Sequence, residues 1–148
     1  MEEVRIATAQ DADVIGQLLH DFNEEYHEPT PPAAQVAKRI RELLDHDTVV
    51  LLNGDTGLVV LRFQPSIWSH SDECYLAELY VRPSHRGRGI GQALLAAALS
   101  TARARGADYM HLGTTEDDVA ARHLYEKLGF RRTEGDGGPL MFVYEQQL

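Results

Sequence analysis

The chain is 148 residues long, with 43% hydrophobic and 25% charged residues, which is one domain's length and enough to bury a core without disulfides or metals. A net charge of −9 argues against a general nucleic-acid binder, whose surface has to be basic. No apolar run reaches the roughly 20 residues that span a bilayer, so no membrane partner is expected.

Val4 to Thr8 reads as a first strand. Asp11 or Asp13 caps a helix running to about Tyr26, with Val14, Leu18, Leu19 and Phe22 as its apolar stripe. The proline-rich stretch Glu28 to Pro32 breaks it, and Thr30 caps a second helix with the stripe Val36, Ile40, Leu43 and Leu44. Thr48 to Leu52 is a strand, Asn53 to Gly57 a hairpin turn, and Leu58 to Phe63 the returning strand. After a loop through Pro65 and His70, Glu73 to Val81 is the next strand. A glycine-rich turn leads into a helix from about Gly89 to Arg105. Ala107 to Leu112 is a strand, and Asp118 to Leu128 a short helix closed by Gly129. Phe130 to Arg132 and Leu140 to Tyr144 form a last hairpin. The pattern predicts an α/β fold in a single domain over 1–148, a mixed central sheet of about six to seven strands flanked by about four helices.

The single cysteine, Cys74, leaves no internal disulfide and no thiolate cluster, and it reads as a small core residue. No His-x-x-x-His pair is present; His20 and His27 read as surface residues, and no metal is expected. The start Met1-Glu2-Glu3 lacks the basic region and apolar stretch of a signal peptide, so a cytoplasmic location is expected.

Charge is unevenly spread. Residues 1–30 hold eight acids against Arg5, whereas residues 79–107 hold Arg82, Arg86, Arg88, Arg103 and Arg105 and no acid. The most informative segment lies in that basic stretch: Val81-Arg82-Pro83-Ser84-His85-Arg86-Gly87-Arg88-Gly89-Ile90-Gly91-Gln92. A strand enters, a helix leaves, and three alternating glycines sit between them. Glycine lets the backbone approach an anion, and the unpaired amides of a helix start point at it. The pattern is a pyrophosphate cradle. It is not a P-loop, which needs Gly-Lys-Ser/Thr, and not a dinucleotide fingerprint, because the third glycine comes one residue early and Gln92 fills its slot.

With Arg86, Gly89 and Gly91 in place, this segment resembles the acetyl-CoA-binding motif of the GNAT superfamily of N-acetyltransferases, Arg/Gln-x-x-Gly-x-Gly/Ala. Glu78-Leu79-Tyr80-Val81 resembles the family's fourth strand. Asp118-x-x-Ala121-x-x-Leu124-Tyr125-x-x-Leu128-Gly129-Phe130 resembles its second motif, with Asp118 where the family often has asparagine. The resemblance implies an acetyl-CoA-dependent N-acetyltransferase in which an amine attacks the thioester directly. It implies cofactor binding by Leu79, Tyr80 and Val81, by the turn Arg86, Gly87, Arg88, Gly89, Ile90, Gly91 and Gln92, and by Asp118 and Ala121. A bulge in the fourth strand would splay the sheet for the thioester. Tyr125 takes the general-acid position, either donating a proton to the leaving thiolate or packing beside the cofactor. Glu78 takes the carboxylate position, either as base or as substrate anchor, with Glu73 a weaker candidate base.

The same resemblance places the acceptor between the first two helices, at Phe22, Glu25 and Tyr26 with Glu24, His27 and Glu28. Aromatics beside carboxylates suit a small cationic amine. The spacing is nearest the polyamine (diamine) acetyltransferase branch. Many relatives dimerise, and Leu140 to Tyr144 could supply the edge of a homodimer. A non-catalytic acyl-CoA-binding domain is the alternative reading.

Overall fold

The computed structural model describes residues 3–148, so Glu2 of the acidic start lies outside the described residues. The elements are β1 (Arg5–Ile6), α1 (Ala12–Glu25), α2 (Ala33–Leu44), β2 (Thr48–Asn53), β3 (Gly57–Pro65), β4 (Asp72–Val81), α3 (Ile90–Ala104), β5 (Ala107–His111) and α4 (Val119–Lys127). Short 3-10 turns at Ala9–Asp11 and Pro83–His85 precede α1 and α3. Two compact units are formed, the first ending at Leu112 and the second running Gly113–Leu148.

In the first unit the strands form one mixed sheet in the order β1-β2-β3-β4-β5. The first three pairings are antiparallel, and β4 pairs with β5 in parallel, as a strand–helix–strand connection through α3 requires. One face is covered by α1 and α2: Ala12, Ile15, Leu18, Ala37 and Ile40 bury against Val50, Leu52, Leu58, Val60 and Tyr80. The alternate residues Val49, Leu51, Val59 and Leu61 are buried on the other face, where α3 packs with Leu94, Leu95, Ala98 and Ala102.

The stripe of α1 is Ile15, Leu18, Leu19 and Phe22, one helical face at i, i+3, i+4 and i+7; Val14, expected inside, is exposed. Helix α2 starts later than expected. Pro32 holds its N-cap, and the Thr30 hydroxyl donates to the Pro31 carbonyl instead of capping. Gly16 lets the two helices touch, because a Cβ there would sit 2.6 Å from the Ala33 carbonyl oxygen.

In the second unit α4 ends as expected at Gly129, which takes φ 97°. The Phe130 N–H returns to the Tyr125 carbonyl at 3.0 Å, and the two rings meet edge to face at 5.9 Å. The sixth and seventh strands do not form among the described residues. The expected hairpin is a single bridge, Thr133 to Leu140, flanked by two backbone hydrogen bonds. Beyond that bridge no ladder continues between Phe130 to Arg132 and Met141 to Tyr144 among the described residues, and Met141 to Tyr144 run on exposed and without regular structure. Among the described residues the sheet therefore has five strands rather than six to seven, and the chain has four α-helices.

Candidate active site

The site is built on β4. Its register with β3 pairs Leu58 with Tyr80, Val59 with Leu79 and Val60 with Glu78, then jumps to Leu61 with Leu76. Ala77 is the extra residue, so β4 carries a bulge there. Strand alternation alone would put Cys74, Leu76, Glu78 and Tyr80 on one face. The bulge splits them. Cys74 and Leu76 stay buried on the α3 face; Glu78 and Tyr80 turn to the face shared with Val60 and Leu58, under α1 and α2.

Beyond the bulge β4 also loses its outer neighbour. Pairing with β5 covers Asp72 to Tyr75 and stops at His111, so among the described residues Leu76 to Val81 have no strand on that side. Their outward backbone groups are an open edge, of the kind an extended ligand chain completes.

Beyond β4, the glycine-rich turn takes the form expected. Gly87 and Gly89 adopt φ 78° and 83°, left-handed values that a residue with a Cβ resists, and no atom lies within 4 Å of where a Cβ would stand. Gly89 is the N-cap of α3, and the first helical bond runs from Ala93 N–H to its carbonyl at 3.0 Å. The amides ahead of that bond, together with the exposed Arg88, fit a pyrophosphate.

Arg86 and Glu25, expected on the cofactor and acceptor respectively, are brought onto each other. The Arg86 guanidinium lies 2.8 Å from the Glu25 carboxylate and donates to the Val81 carbonyl at 2.9 Å. The Tyr80 hydroxyl donates to the same carboxylate at 3.0 Å; burial first, then that acidic partner, pushes the Tyr80 phenol up to about 12. One turn earlier on each segment, Arg82 pairs with Asp21 at 2.7 Å. Burial alone would raise the Asp21 carboxyl, but hydrogen bonds from Arg82, Gln17 and His20 outweigh it and hold it low. Two arginines thus tie the turn to α1. Phe22 stacks on Tyr80 at 4.7 Å and meets Tyr26 edge to face, with Tyr26 half exposed beyond. His27 ends the helix in the left-handed region, at φ 57°.

Glu78 makes no hydrogen bond or ion pair among the described residues. The residue is open to solvent, yet the surrounding protein desolvates its carboxyl and raises its pKa above the ordinary value. Tyr125, Asp118 and Ala121 lie in the second unit: Asp118 is the N-cap position of α4, Ala121 is in its first turns, and Tyr125 is near its end.

A feature not read from the sequence lies on the Glu78 face, past the bulge. Arg62, Tyr75 and His111 form one row across β3, β4 and β5, and Gln64, Glu73 and Tyr109 form the next. The alternation of exposed Arg62 and Gln64 with buried Leu61 and Phe63 was the available signal that helices leave this half of the face bare.

The profile of the "Acetyltransferase (GNAT) family" matches residues 15–130. The uncharacterized N-acetyltransferase YhfO of Bacillus subtilis (strain 168) is 29% identical over 136 residues, covering 89% of this chain and 91% of the relative. A crystal structure from Arthrobacter sp. FB24, described as an acetyltransferase, superposes with a TM-score of 0.91 at 43% identity, covering 100% of this chain and 97% of that one. An aminoglycoside acetyltransferase from an uncultured soil metagenomic sample, solved with sisomicin, shares the fold at a TM-score of 0.75 and 16% identity, covering 98% and 96%. With strand, bulge, open edge and glycine turn in family order, this chain is an acetyltransferase and belongs to the GNAT family.

Proposed function

We propose that the protein moves acetyl from acetyl-CoA to the primary amine of a small acceptor by direct attack in a ternary complex. The observation that carries this reading is β4 itself: a bulged strand whose free edge runs into a left-handed glycine turn at a helix N-terminus. Backbone groups of Leu79 and Val81 pair with the pantetheine arm as a sixth strand would. Amides from Gly87 to Gln92 hold the pyrophosphate, with Arg88 beside them. Acetyl-CoA supplies an activated acetyl group as a thioester.

Glu78 takes the proton from the attacking ammonium, directly or through one water. A primary amine has a pKa near that of lysine, about 10, and must lose that proton to become a nucleophile. The raised carboxyl pKa narrows that gap and makes Glu78 a better base than an ordinary glutamate. Tyr125 is assigned proton delivery to the leaving thiolate from its position in the second motif. A β4 amide near Leu79 polarises the thioester carbonyl.

The acceptor lies on the α1–α2 face, where the bulge delivers Glu78. Glu25 is committed to Arg86 and Tyr80, which removes one carboxylate from a polyamine reading and leaves the aromatic edge of Tyr26 and the solvent-facing acids. Incubation with acetyl-CoA and a panel of amines, read by mass spectrometry, tests the proposal. An N-acetylated product that disappears in Glu78→Gln and in Tyr125→Phe supports it; acetyl-CoA that neither binds nor reacts refutes it.

A further inference from the structure

The bare half of the Glu78 face is a cavity. It has a volume of about 300 Å³ and is lined by Arg62, Phe63, Gln64, Glu73, Tyr75 and His111. That is the lower end of the range for small-molecule sites. Strand rise places Tyr75 within roughly 10 Å of Glu78 along β4, on the same face and across the bulge. An acceptor with its amine at Glu78 therefore has its remaining atoms over this cavity.

The lining is chemically specific. Tyr75 stacks on His111 at 5.1 Å, and His111 on Tyr109, outside the lining, at 5.6 Å, giving an aromatic stack on the β5 side. Glu73 is held by the Gln64 amide at 3.1 Å, so its carboxylate is fixed in place. Arg62 stands at the opposite end of the Tyr75 row and makes no hydrogen bond or ion pair among the described residues. The neighbouring arginines Arg82 and Arg86 are both engaged by carboxylates.

Resting on the acetyltransferase reading above, we infer that this cavity is the acceptor subsite and that it selects an amine which also carries a carboxylate. Arg62 takes the carboxylate, the Tyr75–His111 pair takes the carbon skeleton, and the amine points along β4 to Glu78. The acceptor class is amino-acid-like, a zwitterion of modest size that matches a lining with one arginine and one carboxylate, Arg62 and Glu73.

Matched pairs test this, each an amino acid and its decarboxylated amine, such as lysine against 1,5-diaminopentane. The wild type is expected to favour the carboxylate-bearing member about ten-fold or more in kcat/KM, as a charge-assisted pair provides. Arg62→Gln is expected to cut kcat/KM for that member at least ten times more than for its partner. Equal rates within pairs, or an equal loss in both members, overturn the inference. If no amine of any kind is acetylated, the proposed function falls instead, and binding decides the cavity: calorimetric titration of the amino acids into wild type and Arg62→Gln. Carboxylate-dependent binding lost in the variant supports the subsite; no difference between pair members overturns it.

Discussion

The ion pair between Glu25 and Arg86 sets up a quantitative prediction, because it joins α1, assigned to the acceptor side, to the glycine turn assigned to the cofactor. Glu25→Gln keeps the shape and still accepts from Tyr80, but presents an uncharged amide to Arg86. Arg86→Gln is a residue the motif itself allows. The glutamate side chain is 26% exposed and the arginine 42%, so the pair is neither buried nor free. A hydrogen bond between charged groups contributes about 1.5–3 kcal/mol, and partial solvent screening brings this to about 1–2 kcal/mol here. For a chain of this size that is a fall in Tm of about 3–6 °C in either single variant. The double variant should lose no more than the larger single loss, giving a coupling energy of about 1–2 kcal/mol in a double-mutant cycle. The same tie positions the turn through the Val81 carbonyl, so KM for acetyl-CoA is expected to rise about ten-fold in Glu25→Gln. Chemical denaturation of the four proteins and steady-state kinetics are the assays. Additive losses, with coupling below about 0.3 kcal/mol, would show that the glycines hold the turn unaided and the reasoning is wrong.

Glu78→Gln is expected to lower kcat/KM about 100-fold, the range of general base catalysis, while Tm at pH 7–8 holds or rises. The folded-state pKa is raised, so ionisation favours the unfolded chain as pH climbs through it, and the amide escapes that cost; a fall in Tm contradicts this. Asp11 works in the opposite sense. Hydrogen bonds from Arg5 and the Thr8 N–H hold its carboxyl at about 2, so its stabilisation is present above the ordinary carboxylate range and lost as pH falls through that value. Asp11→Asn is expected to cost about 1–2 kcal/mol at pH 7 by urea unfolding, a gap that closes toward pH 2. Gly89→Ala should cost about 1–2 kcal/mol for its left-handed φ and raise KM for acetyl-CoA. Gly16→Ala, pushed into the α2 backbone, should lower Tm further and leave that KM alone. Cys74 is fully buried, and desolvation pushes its thiol up to about 11, so a thiol reagent should label it only in denaturant. Rapid labelling of the folded protein would show that the core opens.

Much of the site was legible because local rules and tertiary context agree there. Three glycines after a β-rich strand mean a strand–turn–helix junction whatever surrounds it, and the left-handed angles at Gly87 and Gly89 follow. Asn53-Gly54 and Gly129 marked a turn and a helix end for the same reason, and β2 and β3 fell close to their expected bounds. The misplaced parts depend on packing. Val14 and Ile15 are both β-branched and apolar, and only the position of the sheet decides that Ile15 goes inside. The last hairpin carried strand-like residues, but a strand needs a neighbour along its length, and past the Thr133–Leu140 bridge no ladder continues beside Met141 to Tyr144 among the described residues. The contact between Glu25 and Arg86, each assigned to a ligand through the family resemblance, was not legible either; no sequence rule shows that residues 61 positions apart meet.

The bulge at Ala77 shows why one residue matters most for this function. Cys74, Leu76, Glu78 and Tyr80 have a single parity in the sequence, so an unbroken strand would bury Glu78 beside Cys74 in the core under α3. An ionisable group with no partner there would be costly and useless. The extra residue reverses the faces at the point where β4 parts from β5. It places the carboxylate on the α1–α2 face, lets Tyr80 close the core there, and starts the free edge assigned to the cofactor. Deleting Ala77 leaves Leu61 opposite Leu76 and Val60 opposite Glu78 in an unbroken ladder, so Glu78 keeps its face and only the kink ahead of the free edge is lost; the variant is expected to fold and to show a KM for acetyl-CoA raised about ten-fold by steady-state kinetics. A deletion variant with an unchanged KM for acetyl-CoA would show that the bulge does not shape that edge, and the assignment of the edge to the cofactor would fall with it.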